Sequence, residues 1–290
     1  MIAKILDVLL GREGHKEVIL NFDKKVSLIT GAGSGIGRQL AIELERLGSI
    51  VVLSDVNESG LEETAKLINC EDEERLSVVD VTDYDQVKSF IEKAAQKFGQ
   101  IDYLFNNAGI AIAADARDYE VSHWKAVVDV NLMGVIHGCD VAYKIMAKQG
   151  NGHIVNIASL SGLVPFPTNA PYAATKHAVV GLSTSLRVEG EALGVKVSAV
   201  CPGFIESNIY SATESINLDR ESFLNADLPF KKVPTDIAAG EILKGVLKNK
   251  SLIVFPGYAV LAWLLYRVSS FFQRKISRDL ISQFRRMRKS

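Results

Sequence analysis

The sequence is poor in cysteine: its 290 residues hold only Cys70, Cys139 and Cys201, with no Cys-x-x-Cys pair. So sparse a set excludes a disulfide framework and a zinc knuckle, and it predicts a cytoplasmic chain in a reducing compartment, without a bound metal. Long apolar runs are missing as well. The first 22 residues carry Ile5, Leu6, Val8, Leu9 and Leu10, but glycines and charged residues interrupt them well short of a membrane span or a secretory h-region. Residues 1–23 are therefore read as an N-terminal extension bearing an accessory helix. There is no internal repeat, no low-complexity segment and little net charge, −1 in all. The near-neutral total hides an asymmetry. Residues 267–290 hold eight Lys or Arg against Asp279 alone, a tail of +7 on a body of −8. Such an end suits anionic lipid, an acidic partner or nucleic acid, and no base-reading motif accompanies it, so no nucleic-acid partner is expected.

What the chain does have is core material: 48% hydrophobic and 23% charged residues, enough for an independently folding globular unit. From Val26 onward, short β-branched runs alternate with helix-length segments. Strands are expected at 26–30, 50–54, 76–79, 101–105, 153–158, 195–201 and 252–255, and helices at 36–47, 84–97, 119–148, 171–193 and 236–248. Most strands lack a polar alternate face, as in a parallel sheet covered by helices on both sides. Thr235, after Pro234, is the predicted N-cap of the last helix. The longest break, 204–233, carries Phe204, Ile205, Tyr210, Phe223, Leu228 and Phe230, and reads equally as a lid or as a surface helix with core anchors.

Immediately after the first strand stands Thr30-Gly31-Ala32-Gly33-Ser34-Gly35-Ile36-Gly37. Glycines let a backbone turn tightly and approach a pyrophosphate, and the free amides and positive end of the helix that follows favour an anion. Gly31, Ser34, Gly35, Ile36 and Gly37 are thus the candidate phosphate-binding turn, although Gly-x-x-x-Gly-x-Gly departs from the common Gly-x-Gly-x-x-Gly. Asp55 ends the second strand 20 positions after Gly35, where a carboxylate can hold a ribose 2′-hydroxyl and repel a 2′-phosphate. With no basic group at Ser34 or Val56, the expected cofactor is NAD rather than NADP. The fold expected is α/β, a single Rossmann-type doubly wound parallel sheet flanked by helices, over residues 24–257.

Tyr172 and Lys176 are four apart on a predicted helix and share one face. A phenol titrates near pH 10, and a neighbouring ammonium would stabilise its anion and lower that value. Ser159 lies 13 residues before Tyr172 at a strand end, the usual edge for a ligand, with Ser161 a rival two positions on. Asn131, flanked by Val130 and Leu132 inside the 119–148 helix, reads from its neighbours as a solvent-facing side chain.

Taken together, TGAGSGIG at 30–37, NNAG at 106–109, Asn131, Ser159, Tyr172-Ala-Ala-Thr-Lys176 and Pro202-Gly203 resemble the short-chain dehydrogenase/reductase family. The resemblance implies Tyr172 as general acid/base, Lys176 as the group that lowers its pKa and binds the nicotinamide ribose, Ser159 orienting the carbonyl, and Asn131 anchoring a water relay. It also places Asp80 and Val81 near the adenine, Asn107, Ala108 and Gly109 beside the cofactor, and Pro202, Gly203 and Ile205 against the nicotinamide. Ser207 stands where a threonine is usual. The activity implied is hydride transfer between NAD(H) and a secondary alcohol or ketone, with an NADP-linked carbonyl reductase and a non-catalytic cofactor-binding scaffold as the alternatives.

Family members often end soon after the 252–255 strand, whereas this chain continues as an apolar and basic helical extension, 258–290. Ala259 to Tyr266 and Val268 form an apolar block, and Phe271, Phe272, Ile276, Leu280, Ile281 and Phe284 follow among arginines. That composition suits a helix lying in a membrane interface, and equally one packed on its own domain or on a second copy in a homo-oligomer. The apolar insert and tail together point to a hydrophobic small-molecule substrate.

Overall fold

The computed structural model describes residues 22–207, 209–224 and 230–288; the accessory helix expected before residue 22, and Leu228, lie outside them. The first half runs β1 (Val26–Thr30), α1 (Gly35–Arg46), β2 (Ile50–Asp55), α2 (Glu58–Leu67), β3 (Leu76–Val78), α3 (Tyr84–Phe98) and β4 (Tyr103–Asn106). Then come β5 (Ile112–Ala113), α4 (Val121–Val128), α5 (Gly134–Gln149), β6 (Gly152–Ile157), α6 (Ala170–Gly190) and β7 (Val195–Pro202). The chain closes with α7 (Ile209–Ala212), β8 (Glu214–Ser215), α8 (Arg220–Leu224), α9 (Thr235–Leu247), β9 (Leu252–Phe255), α10 (Gly257–Val268) and α11 (Ser270–Arg286).

Seven strands form one sheet in the order β3-β2-β1-β4-β6-β7-β9, every pair parallel. The apolar runs are buried on both faces, β1 at all five positions. One face packs Leu53 and Phe105 against Leu40 and Leu44 of α1 and Ile242 of α9. The other packs Leu104 and Ile154 against Phe90, Met146 and Val179 from α3, α5 and α6. This is the expected doubly wound α/β fold. The strand order reverses between β1 and β4, and such a switch leaves a crevice at the carboxyl ends of the strands.

Local departures from expectation have local causes. Thr235 is the first helical residue of α9 and Pro234 takes the cap position, since a proline lacks the N–H that a helix end leaves unpaired anyway. The segment expected as one helix over 119–148 is two helices joined by a π-turn at Asp129–Met133. Such turns recur at functional sites.

The described residues of the 204–233 insert form short pieces. β8 pairs with β5 in a separate two-stranded parallel ribbon. In the C-terminal extension, Ala259, Trp263 and Tyr266 pack against Leu160 and Val164, while Leu261, Leu264, Leu265 and Val268 remain exposed. After Ser269, α11 returns across the crevice and Arg288 bridges to Leu218. Among the described residues no helix is long and apolar enough to cross a membrane.

Candidate active site

The sheet's carboxyl edge opens into a cleft of about 580 Å³. At one end the β1–α1 turn is shaped for close approach. Gly31 has φ +65°, and a Cβ there would lie 2.7 Å from the Cα of Ala108; one on Gly37 would lie 2.2 Å from the Gly31 carbonyl oxygen. Only glycine permits both. Ser34 caps α1 without a side-chain bond, so the first amides of that helix keep their donors for an anion.

Asp55 stands at the end of β2 with Oδ2 accepting from the Gly33 amide at 2.8 Å and Oδ1 from the Asn57 amide at 2.9 Å. Each oxygen retains a lone pair for a further donor. Arg38, one residue past the glycine turn, is held away from the cleft by the Gly33 and Gly60 carbonyls, Thr64 and Glu63. Asp80 caps its own turn through Thr82, and Val81 is buried beside it. Thr30 Oγ1 accepts from the amides of Asn107 and Ala108, tying the Asn106–Gly109 loop to β1.

At the other end Ser159, just beyond β6, is extended (φ −169°) and caps a single helical turn by accepting from the Ser161 amide at 3.1 Å. Pro171 opens α6 and puts Tyr172 and Lys176 one turn apart on its inner face. Of the two candidate serines, Ser159 is the one whose hydroxyl acts on the Tyr172 phenol, favouring its anion. Lys176 donates to the Ile157 carbonyl at 2.7 Å, with its ammonium 5.4 Å from the centre of the Tyr172 ring.

Burial dominates the electrostatics of this pair. It raises the Tyr172 pKa above the usual phenol value against the opposing influence of the Ser159 hydroxyl, and it lowers Lys176 to about 8. Desolvation thus acts on the phenol in the direction opposite to the lowering that its spacing from Lys176 suggests. The neighbouring Cys201 thiol is pushed up to about 12, also by burial, and stays protonated.

Asn131 is fully buried, contrary to the solvent-facing side chain its neighbours suggest. The π-turn directs it inward, where Oδ1 accepts from the Ile110 amide and Nδ2 donates to the Ile110 carbonyl, both at 2.8 Å. It does not line the cleft, and neither does Gly37; the other expected site residues do. Gly203 donates to the Phe255 carbonyl at 2.8 Å, and Tyr258 of the extension packs so closely over it that a Cβ there would lie 2.4 Å from the phenol oxygen, which accepts from the Phe204 amide at 2.7 Å. Ser207 and Ile205 complete that wall.

Three contributors lay outside the sequence reading. Asn169 lines the cleft with a buried Oδ1 that has no protein partner. Ile110 anchors Asn131 through main-chain atoms and so leaves no residue-type signal. The third is α11 with the turn that ends it: Leu280, Gln283 and Phe284 of the helix and Met287 just beyond it face the cleft at helical spacing, a signal present in the sequence but undirected without the fold.

The short chain dehydrogenase family model matches residues 25–217. The chain belongs to that family. An oxidoreductase of Staphylococcus epidermidis is 33% identical over 222 residues, 76% of this chain and 96% of its own length, and one of Staphylococcus saprophyticus is 34% identical over 229 residues, 77% and 98%. Both are uncharacterized in function. Among solved structures, a short chain dehydrogenase/reductase from Burkholderia phymatum in complex with NAD has TM-score 0.75 and 30% identity, covering 87% of this chain and 96% of that one. A 3-ketoacyl-(acyl-carrier-protein) reductase from Brucella melitensis complexed with NADH has TM-score 0.70 and 27% identity, covering 80% and 96%. This chain is thus a short-chain oxidoreductase, and nicotinamide cofactors serve its family.

Proposed function

We propose that this short-chain dehydrogenase transfers a hydride between NAD(H) and an apolar secondary alcohol or ketone. The observation that carries the reading is the meeting of Ser159, Tyr172 and Lys176 at one end of the cleft that holds Asp55 at the other. The glycine turn, which a Cβ would fill, suits a pyrophosphate. Asp55 would take the adenosine ribose hydroxyls, and Lys176 the nicotinamide ribose. Preference for NAD is supported by the Asp55 carboxylate and by the bonds of Arg38 to Gly33, Gly60, Thr64 and Glu63, which turn that guanidinium away from the cleft.

The bound nicotinamide supplies the hydride donor or acceptor. The residues supply position and protons. Ser159 Oγ and the Tyr172 phenol would both bond the substrate oxygen, fixing the carbonyl carbon toward the cofactor. In reduction Tyr172 gives its proton to that oxygen as hydride reaches the carbon; in oxidation the phenolate takes the hydroxyl proton as the C–H hydrogen leaves with its electron pair. Lys176 stabilises the phenolate when charged. Because Asn131 bonds both main-chain groups of Ile110, it acts as a positioning residue for the loop beside the cofactor cleft.

The test is turnover of a panel of secondary alcohols with NAD, and of the matching ketones with NADH and NADPH. NADH-linked turnover is expected. Tighter binding and faster turnover with NADPH would overturn the NAD assignment.

A further inference from the structure

The C-terminal extension brings the tail's positive charge to the acidic body at one place. Asp115, its side chain 2% exposed, lies in the loop after β5 and accepts from Arg285 at 2.8 Å and from Arg117 at 3.0 Å. Asp118, 7% exposed, accepts from Arg288 at 2.6 and 2.9 Å and from Asn217 at 3.1 Å. The Asp219 amide adds a bond to the Met287 carbonyl at 2.9 Å. Two guanidinium–carboxylate pairs and a main-chain bond thus fasten the end of α11 to elements about 170 and 70 residues away in sequence. Arginine suits such a clamp because its planar fork meets a carboxylate with two donors.

What the clamp holds in place is an apolar wall. Leu280, Gln283, Phe284 and Met287 follow a 3-4 spacing and face the cleft, and Phe284, 5% exposed, packs with Ala113 and Leu218. The family match ends at residue 217, so this wall belongs to the part of the chain beyond it.

We infer that α11 is a specificity-determining wall of the substrate chamber, held by Arg285–Asp115 and Arg288–Asp118, which selects substrates whose apolar, non-reacting end reaches Phe284 and Met287. The inference rests on the proposed reaction and names its substrate class: a secondary alcohol or ketone with an extended hydrocarbon body. Remote binding of that kind positions the reacting carbon and excludes water, so its loss falls on long substrates and spares short ones.

The experiment compares wild type with the Arg285→Ala/Arg288→Ala double variant, whose side chains lie outside the cleft, across 2-butanol to 2-decanol, with NADH binding as the control for an intact fold. Wild type is expected to favour 2-decanol in kcat/KM; the variant should lose about tenfold on 2-decanol and change less than about twofold on 2-butanol. Hydrogen exchange should show residues 280–288 protected in wild type and open in the variant. An unchanged chain-length profile, or an unprotected α11 in wild type, overturns the inference. If wild type turns over no alcohol or ketone, the reaction assignment fails separately. The wall is then judged by binding of the neutral apolar dye Nile red: affinity about tenfold weaker in Phe284→Ala sustains it, and equal affinity overturns it.

Discussion

The Lys176 ammonium lies 5.4 Å from the centre of the Tyr172 ring yet gives its hydrogen bond to the Ile157 carbonyl, 2.7 Å away. Both titratable groups are desolvated, so burial keeps the phenol protonated and eases the proton off the lysine toward about 8. A protonated phenol is the form that reduction needs. Ketone reduction should therefore be level between about pH 6 and pH 8, while alcohol oxidation should rise with pH over the same span. Parallel pH–rate profiles for kcat/KM in the two directions check this; oxidation that is fastest at the acid end would contradict it.

Asp55 already accepts two main-chain amides and keeps one free lone pair on each oxygen. Replacing it by alanine should weaken NAD binding by about ten- to a hundredfold, the range for losing hydrogen bonds to a charged group, and should narrow discrimination against NADPH. Fluorescence titration of both reduced cofactors measures the two effects. An unaltered NADH affinity would remove Asp55 from the site.

Asn169 carries an unpaired buried oxygen in the cleft wall, a group that costs stability unless a ligand donates to it. Asn169→Leu should leave thermal stability unchanged or raise it by up to about 1 kcal/mol, while raising KM for substrates bearing a second hydroxyl by about tenfold. Equal KM values for hydroxylated and plain substrates in both proteins would assign the residue no part in recognition.

His153 is buried in β6, and its Nε2 lies 2.8 Å from Ser198 Oγ, whose own proton goes to the Lys250 carbonyl. The ring must therefore donate, and burial, reinforced by Lys196 and Arg187, depresses its pKa to about 3. The unfolded chain binds a proton near pH 6.5 and the folded one does not until about pH 3, so this group withdraws stability as pH falls between those values, by at most about 1.4 kcal/mol per unit. Urea unfolding at several pH values should show a shallower acid loss in His153→Gln than in wild type. Equal slopes would contradict the assignment.

The turn from β1 into α1, with Asp55 at the end of β2, is legible in sequence because each part is a local matter of glycine spacing and strand length. The parallel sheet covered by helices follows from the alternation of runs. Asn131 was illegible for the opposite reason: its burial depends on a π-turn and on main-chain atoms of Ile110, 21 residues away. The raised phenol pKa of Tyr172 also escapes a spacing argument, since it comes from desolvation by the assembled fold. In the tail, the 3-4 pattern ending in Phe284 and Met287 announces a buried face, but only the pairing of Arg285 with Asp115 says what that face covers. Leu261, Leu264, Leu265 and Val268 show the limit in reverse, apolar in sequence and exposed on the folded chain.

In the proposed reaction Tyr172 moves the proton while a nicotinamide moves the hydride. Its most direct measurement is NADH absorbance during turnover of a secondary alcohol by wild type and by Tyr172→Phe, with NADH affinity measured in both. In the variant kcat should be lower by about a hundred- to ten-thousandfold with cofactor affinity unchanged. Equal turnover in the two proteins would contradict it.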